Sequence, residues 1–182
     1  TYIDRYGVLQ YANIDEPRFE KDGLLIEDAS TNFILNSDLL EGFIGFDYNK
    51  TIESVIKAPN GISDCILLEA TANNGLIYNN VVTGLSVGSI NTLSLFVKKG
   101  TSSSIRIKHS SNGAFLVDFN FDTETITGGT FEKLSDGWYR IQGTGVGTTI
   151  VNAQGLEVQI PISGKTAYII CLQVHLKESL IS

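Results

Sequence analysis

Apolar and polar side chains alternate with a period of two along most of this chain, and the period of amphipathic helices is nearly absent. In residues 93–98, two leucines and a valine alternate with serine, phenylalanine and lysine. The same alternation recurs in residues 105–109, 115–121 and 168–176. Because successive side chains of a strand point to opposite faces of a sheet, each of these stretches predicts a β-strand. In the last stretch, one face is predicted to carry Tyr168, Ile170, Leu172, Val174 and Leu176.

Short strands separated by turn residues at intervals of about ten residues are typical of antiparallel sandwiches and barrels. The segments between the predicted strands are rich in glycine, asparagine and serine, as in residues 110–113. The chain contains 18 glycines and only 3 prolines, which agrees with many tight turns. The sequence therefore predicts an all-β fold built from antiparallel strands.

The first thirty residues have a different pattern, with dense charge, Pro17 and only short alternating pieces. The apolar residues at 24–26 and the tyrosines would leave too much apolar surface in water if this segment were a free linker. We therefore expect residues 1–30 to form an extended arm that packs against the domain or a neighbouring chain, and residues 31–182 to form the sandwich. Because the chain starts at Thr1 and ends in an apolar stretch, we also expect it to be part of a longer polypeptide.

Composition and charge narrow the classes of partner. The 182 residues suit one domain, and 42% hydrophobic against 18% charged residues indicates a globular chain. With 13 Lys+Arg and 20 Asp+Glu, the net charge is −7, which disfavours nucleic acid and anionic membranes as partners. No apolar run approaches the roughly 20 residues that a membrane-spanning helix needs. A weakly charged ligand or a protein surface fits better than either.

The residues that usually perform catalysis do not form a recognisable site. His109 and His175 each fall inside a predicted strand, and hydrolase, zinc-protease and phosphate-loop motifs are absent. A glycosidase needs two carboxyl groups that flank the scissile bond. The candidates are Asp118, Asp122, Glu124 and Asp47, and the first two are expected on a solvated strand face and in a turn. The sequence therefore predicts a protein that is not an enzyme and has no catalytic residues.

Metal and disulfide chemistry are also not favoured. Oxygen ligands for a structural calcium ion could come from residues 36–38 or Glu41, but the dense spacing of a dedicated calcium loop is missing. Calcium stays a less favoured alternative, and no metal or cofactor is expected. Cys65 and Cys171 lie far apart among apolar neighbours, so both are expected to be free and to act as small, buried hydrophobic residues.

Aromatic and polar side chains on the predicted strands leave one chemical possibility open. Sugar rings stack on aromatic faces, while amides, carboxylates and basic groups hydrogen-bond their hydroxyls. The candidate ligand-binding residues are Phe96, Lys98, Arg106, Lys108 and Asn120, with Tyr48, Tyr78 and Phe115 near turns as further candidates. The alternative is that Phe96 and Phe115 belong to the core, where phenylalanine is usually found.

Several stretches resemble, in the same order, segments of bacteriophage tail fibre and tailspike proteins. Residues 23–37 are similar to their GLLIEEARTNLLLNS segment, residues 92–100 to YTFSVFVKAG, and residues 134–141 to LGNGWYRI. The stretches 1–9, 17–19, 119–123 and 167–174 are also similar to segments of these proteins. Two departures are visible: Phe46 stands where a tryptophan is usual, and Asn120–Phe121 replaces a small apolar pair.

This resemblance implies a jelly-roll β-sandwich of the carbohydrate-binding-module type in a phage virion. It implies a fibre or spike module that binds host-surface polysaccharide, contacts other virion proteins and forms a homotrimer. The alternative is a purely structural virion protein, a spacer or capsid decoration without a ligand site, because one fold serves several functions.

The only tryptophan follows Asp136–Gly137, a dipeptide that favours a tight reversal. In the family-like arrangement, Trp138 and Arg140 share one face of a strand, and Tyr139 and Ile141 share the other. We predict structural roles for Trp138, Tyr139 and Arg140, with the indole buried as an anchor between two sheets. An exposed platform for sugar stacking is the alternative for Trp138.

Overall fold

The computed structural model describes residues 2–10, 19–20, 23–24, 44–78, 90–109, 116–146 and 156–177. Within these ranges, side-chain placement is not described for residues 9, 19–20, 23–24, 44, 91, 109, 146, 156 and 171–177. These residues form strands and one short 3-10 helix at Ser135–Gly137. The strands are β1 (Tyr2–Ile3), β2 (Leu9–Gln10), β3 (Phe19–Glu20), β4 (Gly23–Leu24), β5 (Ile44–Phe46), β6 (Tyr48–Lys57), β7 (Asp64–Ala70), β8 (Gly75–Tyr78), β9 (Ile90–Lys99), β10 (Ser104–His109), β11 (Leu116–Asn120), β12 (Thr125–Thr127), β13 (Thr130–Lys133), β14 (Trp138–Val146), β15 (Leu156–Ile160) and β16 (Thr166–Lys177). Within the described segments, no helix is long and apolar enough to cross a lipid bilayer.

Two six-stranded sheets account for most of the described strands. Sheet A has the order β12-β11-β10-β15-β8-β5, and sheet B has the order β13-β14-β9-β16-β7-β6. Every pairing between neighbouring strands in both sheets is antiparallel. The all-β, antiparallel sandwich predicted from the alternating pattern is therefore confirmed.

The main core lies between the two sheets and is built from alternate residues of their strands. On β9, Leu93, Leu95 and Val97 are fully buried in this core, as the alternation predicts. Sheet A contributes Ile105, Ile107, Val117, Phe119, Val158 and Ile77. Burying each such side chain stabilises the fold by about 1.5–3 kcal/mol relative to leaving it exposed.

The last strand departs from its predicted regular alternation. Ile170 of β16 pairs with Phe96, but Gln173 pairs with Ser94, so the register shifts between residues 170 and 173. One extra residue in a strand changes which residues lie opposite the neighbouring strand. The prediction that every second residue from Tyr168 to Leu176 shares one face is therefore wrong across this bulge.

Sheet B carries a second apolar cluster on the face that points away from sheet A. We call this the outer cluster; its buried members are Ile3, Ala58, Cys65, Phe96, Leu134, Trp138 and Ile170. Trp138 is fully buried there. The expectation that Trp138 lies between the sheets is wrong, because it points to the same side of sheet B as Phe96, its diagonal neighbour on β9. Tyr139, on the opposite face of β14, is the residue that packs in the main core.

The described part of the N-terminal arm packs on the outer cluster. Strands β1 and β2 form a hairpin, and Ile3 of this hairpin is buried with Trp138. The Ser135 amide and hydroxyl also donate hydrogen bonds to the Gly7 carbonyl, at 3.5 and 3.4 Å. A second small hairpin joins β3 and β4. The boundary predicted at residue 30 lies outside the described residues.

Candidate functional site

The outer face of sheet A brings polar and aromatic side chains into rows that run across the strands. Because the core takes alternate residues of β10, β11, β15 and β8, the intervening residues point away from sheet B. The register places Tyr78 opposite Glu157 and Glu157 opposite Lys108. The next row contains Leu76, Gln159, Arg106 and Asp118. We call this surface the sheet A face.

An exposed aromatic pair lies at the β5 end of the sheet A face. The rings of Phe46 and Tyr78 are stacked, with centroids 5.6 Å apart and an angle of 13° between their planes. Phe46 is 63% exposed, which is unusual for a phenylalanine. The chain continues from this strand through Asp47, which has a positive φ of 56°, into Tyr48 of sheet B.

A bidentate ion pair lies three strands away from Phe46. Nε of Arg106 donates a hydrogen bond to Oδ1 of Asp118 at 2.7 Å, and Nη2 donates to Oδ2 at 2.9 Å. The two residues are direct partners on neighbouring strands, so the register itself sets this geometry. The hydrogen bonds to Asp118 raise the pKa of Arg106 above its ordinary value. The pair fixes the direction in which the guanidinium plane points.

A second ion pair lies in the adjacent row. Nζ of Lys108 lies 2.8 Å from Oε2 of Glu157, and the Glu157 side chain is largely buried. Nε2 of Gln159 donates a hydrogen bond to the same Glu157 oxygen at 3.2 Å. Lys108, Glu157 and Gln159 therefore hold one another in place between the aromatic pair and Arg106.

This arrangement suits recognition of a polyol. Ligand sites combine apolar or aromatic surface with a few polar groups whose positions are fixed. The sheet A face offers the Phe46 ring as apolar surface, Arg106 and Lys108 as donors, and Asp118 and Glu157 as acceptors. A sugar hydroxyl is both donor and acceptor, so it can use groups of either kind.

The structure places the ligand-binding residues predicted from the sequence on two different sheets. Arg106, Lys108 and Tyr78 lie together on the sheet A face. Phe96 is buried in the outer cluster of sheet B, and Lys98 lies on β9 of the same sheet, so neither belongs to this face. The single groove predicted for these residues is therefore wrong, because β9 and β10 are in different sheets.

Two other predicted residues have local structural roles. Oδ1 of Asn120 accepts hydrogen bonds from the amides of Asp122 and Thr123 at 2.9 and 3.0 Å, so it closes the turn after β11. The Tyr48 ring packs against the main core. A Cβ atom at Gly45 would overlap this ring, so the ring fills the space beside β5. Asn120 nevertheless lies on the sheet A face, because it flanks the core residue Phe119 on β11 as Asp118 does. The Tyr48 ring does not lie on this face.

Sequence reasoning missed several residues of the sheet A face as ligand candidates. Phe46 had only one signal, its position where the tail fibre and tailspike segments that the sequence resembles usually have a tryptophan. Glu157 and Gln159 could have been found from their alternation with Val158 and Ile160 in β15. Asp118 was identified as a strand-face carboxylate, but its pairing with Arg106 follows from register and is not visible in the sequence.

The remaining predicted structural residue, Arg140, lies on the outer side of sheet B. Its guanidinium carbon lies 5.9 Å from the centroid of the Phe96 ring, a cation–π distance. Phe96 is its direct partner on β9. Arg140 therefore packs along the edge of the outer cluster rather than on the sheet A face.

Several candidates lie outside the described residues. They are the calcium candidates at residues 36–38 and Glu41, the side chains of both histidines, and the ligand-binding candidate Phe115. Among the side chains that are described, no three His, Cys, Asp or Glu residues gather as metal ligands. Asp122 is paired with Lys99, and Glu124 accepts hydrogen bonds from Lys133 and from Tyr139. These contacts give the two carboxylates structural partners at the turn between β11 and β12.

The chain is similar in fold to carbohydrate-binding modules and to part of a phage tailspike. No protein-family model matches the chain, and no curated protein sequence matches it significantly. The tandem CBM22-1–CBM22-2 domain of Paenibacillus barcinonensis Xyn10C matches with a TM-score of 0.52 at 11% identity over 85% of this chain. The enzymatically active domain of bacteriophage CBA120 tailspike protein 4 matches with a TM-score of 0.51 at 12% identity over 80%. The CBM22-1–GH10 modules of Clostridium thermocellum xylanase 10B, solved with xylohexaose, match with a TM-score of 0.50 at 13% identity over 83%.

The fold is therefore carbohydrate-binding-module-like. At these identities the comparisons establish the fold. The chain spans only 53%, 21% and 29% of those three proteins, respectively, so it corresponds to one part of each.

Proposed function

We propose that this chain is a non-enzymatic glycan-binding module that uses the sheet A face. The main support for this proposal is the exposed Phe46–Tyr78 stack beside two ordered ion pairs. An apolar ring at the surface normally costs solvation energy, and a stacked sugar ring would remove it from water. The similarity in fold to modules that were solved as parts of xylanases supports the same function.

The virion setting is a further part of the proposal. The similarity in fold to a phage tailspike domain and the resemblance of the sequence to tail fibre segments both support it. In such a setting, the chain would be one module of a homotrimeric fibre or spike, in contact with other virion proteins. Three copies that each bind host-surface polysaccharide weakly would attach firmly through avidity.

A glycan array tests the proposal directly. The folded chain is applied to an array of plant and bacterial polysaccharides, next to Phe46→Ala and Tyr78→Ala variants. Ile52→Ala serves as the matched control, because Ile52 is an exposed apolar residue on β6, at the edge of sheet B. We expect binding by the unmodified chain and the control, and loss of binding in both aromatic variants. Equal binding by all four proteins would exclude the sheet A face as the site.

The second candidate function is a purely structural virion protein. Ile52 and Val55 are 59% and 84% exposed on β6, and an edge strand with apolar side chains can dock on a neighbouring protein. This candidate predicts a well-folded oligomer that binds nothing on the array. That outcome would replace glycan binding as the proposed function.

A further inference from the structure

We infer that the sheet A face binds an uncharged polysaccharide and discriminates against acidic ones. The inference rests on the proposed function, and it adds the chemical class of the ligand. It follows from the balance of charges on this face and from the way in which each charge is already bonded.

Positive and negative charges on the described part of the sheet A face are matched. The described strands place two cations on it, Arg106 and Lys108, and each is paired with a carboxylate on an adjacent strand. Both pairs have at least one hydrogen-bonding distance below 2.9 Å. A surface that binds anions usually presents cations without such partners.

An acidic sugar would have to lie beside the carboxylates of these pairs. Asp118 occupies the Nε–Nη2 edge of the Arg106 guanidinium, so a ligand carboxylate would have to share this one cation with Asp118. At Lys108 the ligand would lie close to Glu157, whose side chain is largely buried and cannot turn away freely. Like charges held close together destabilise the complex, and the net charge of −7 adds a longer-range repulsion.

A neutral sugar can form hydrogen bonds with the same side chains and leave both ion pairs intact. A carboxylate oxygen that accepts one hydrogen bond from arginine has further lone pairs for a sugar hydroxyl, and an ammonium group has three donors. Donors and acceptors alternate along the row from Gln159 through Arg106 to Asp118. The distance from Phe46 on β5 to Asp118 on β11 covers four strand spacings, roughly 19 Å, so an extended stretch of polymer can lie across the row.

The test uses the same array, divided into neutral and acidic glycans. We expect bound spots among neutral polysaccharides, and affinity weaker by at least about tenfold for a uronic-acid or sulfated derivative of a bound glycan, since repulsion between like charges a few ångströms apart near a protein surface exceeds that factor. Preferential binding of acidic glycans would overturn the inference while leaving glycan binding intact. An array without any bound glycan would overturn the proposed function and the inference together.

A charge variant tests the role of the two pairs. Asp118→Asn combined with Glu157→Gln leaves both cations without a carboxylate partner. We expect this double variant to gain binding to dextran sulfate that salt abolishes, because exposed charges are screened at high ionic strength. Glu132→Gln combined with Asp136→Asn changes the net charge equally through exposed residues outside sheet A, and it should gain no binding. Equal behaviour of the two double variants would overturn the inference.

Discussion

The indole nitrogen of Trp138 donates a hydrogen bond to the backbone carbonyl of Lys57 at 2.9 Å. This bond joins the start of β14 to the end of β6, two strands at opposite sides of sheet B. The ring is fully buried between that segment and the N-terminal hairpin that carries Ile3. Trp138 therefore connects the end of β6 and the N-terminal hairpin on the outer side of sheet B.

Two substitutions of Trp138 should destabilise the fold to different extents. Trp138→Phe keeps a ring but leaves the Lys57 carbonyl without its donor, which should cost about 1–3 kcal/mol. Trp138→Ala also leaves a cavity and should cost about 3–5 kcal/mol. Urea unfolding measures both, and Val55→Ala, at an exposed position, should stay within about 0.5 kcal/mol of the unmodified chain. An unchanged midpoint for Trp138→Ala would contradict the anchoring role.

The Asp4 carboxylate should stabilise the turn of the N-terminal hairpin. Its Oδ1 accepts hydrogen bonds from the amides of Tyr6 and Val8, and its Oδ2 accepts one from Gln10. Burial tends to raise the pKa of Asp4, but these hydrogen bonds, led by Gln10, outweigh it and lower the pKa. The stabilisation is thus present above the ordinary carboxyl pKa and is lost as the pH falls through the lowered value.

Limited proteolysis measures this effect at neutral pH. Asp4→Ala should speed tryptic cleavage after Arg5, which lies in the same turn, by roughly tenfold, because the three lost hydrogen bonds lie at or near the surface and cost about 0.5 kcal/mol each. Glu132→Ala, at an exposed residue of β13, is the control and should not change the rate. The same cleavage rate in all three proteins would show that Asp4 does not hold the hairpin.

Gly45 should be required for the position of Phe46. A Cβ atom at residue 45 would overlap both the Tyr48 ring and the Leu76 carbonyl oxygen. Gly45→Ala should cost about 1–3 kcal/mol, as overpacking usually does, and should weaken glycan binding by moving Phe46 away from Tyr78. Ser54→Ala, at an exposed site on β6, should change neither property. Urea unfolding and glycan binding are measured on the same samples. A Gly45→Ala variant with unchanged stability and unchanged binding would contradict this packing.

Cys65 should make stability fall at high pH. Burial, and to a lesser extent the charge of Glu53, raises the pKa of this thiol to about 11 from an ordinary value of 9.0. The unfolded chain therefore loses the thiol proton first as the pH rises, so the contribution of Cys65 is complete below pH 9.0 and is lost on approaching pH 11. Urea unfolding in reducing buffer at about pH 8 and about pH 10.5 should show a steeper loss for the unmodified chain than for Cys65→Ala. Parallel losses would contradict the raised pKa.

The alternating pattern predicted the strands well because each sheet buries one face of each strand in the main core. It predicted which residues of β9, β10 and β11 face the main core, beginning with Leu93, Ile105 and Val117. It could not predict the bulge in β16, because every residue from 167 to 172 is apolar and a shift of one residue there leaves no visible trace.

The site was less predictable because it depends on which strands become neighbours. Arg106, Lys108 and Tyr78 were identified, but their partners on β11, β15 and β5 are set by register between distant segments. For Phe96, the sequence predicted the face of the strand but not the residues that pack on it. Its strand pattern correctly placed it outside the main core, but the sequence did not reveal the outer cluster that covers it.

The most direct test of the sheet A face is a map of backbone amide chemical shifts in the ¹⁵N-labelled chain. The chain is titrated with the glycan that binds most tightly on the array. We expect the amides of β8, β10 and β15 to shift most, and those of β6 and β14 to remain close to their free positions. Shifts concentrated around Trp138 and the N-terminal hairpin, with none near Tyr78 and Arg106, would contradict this expectation.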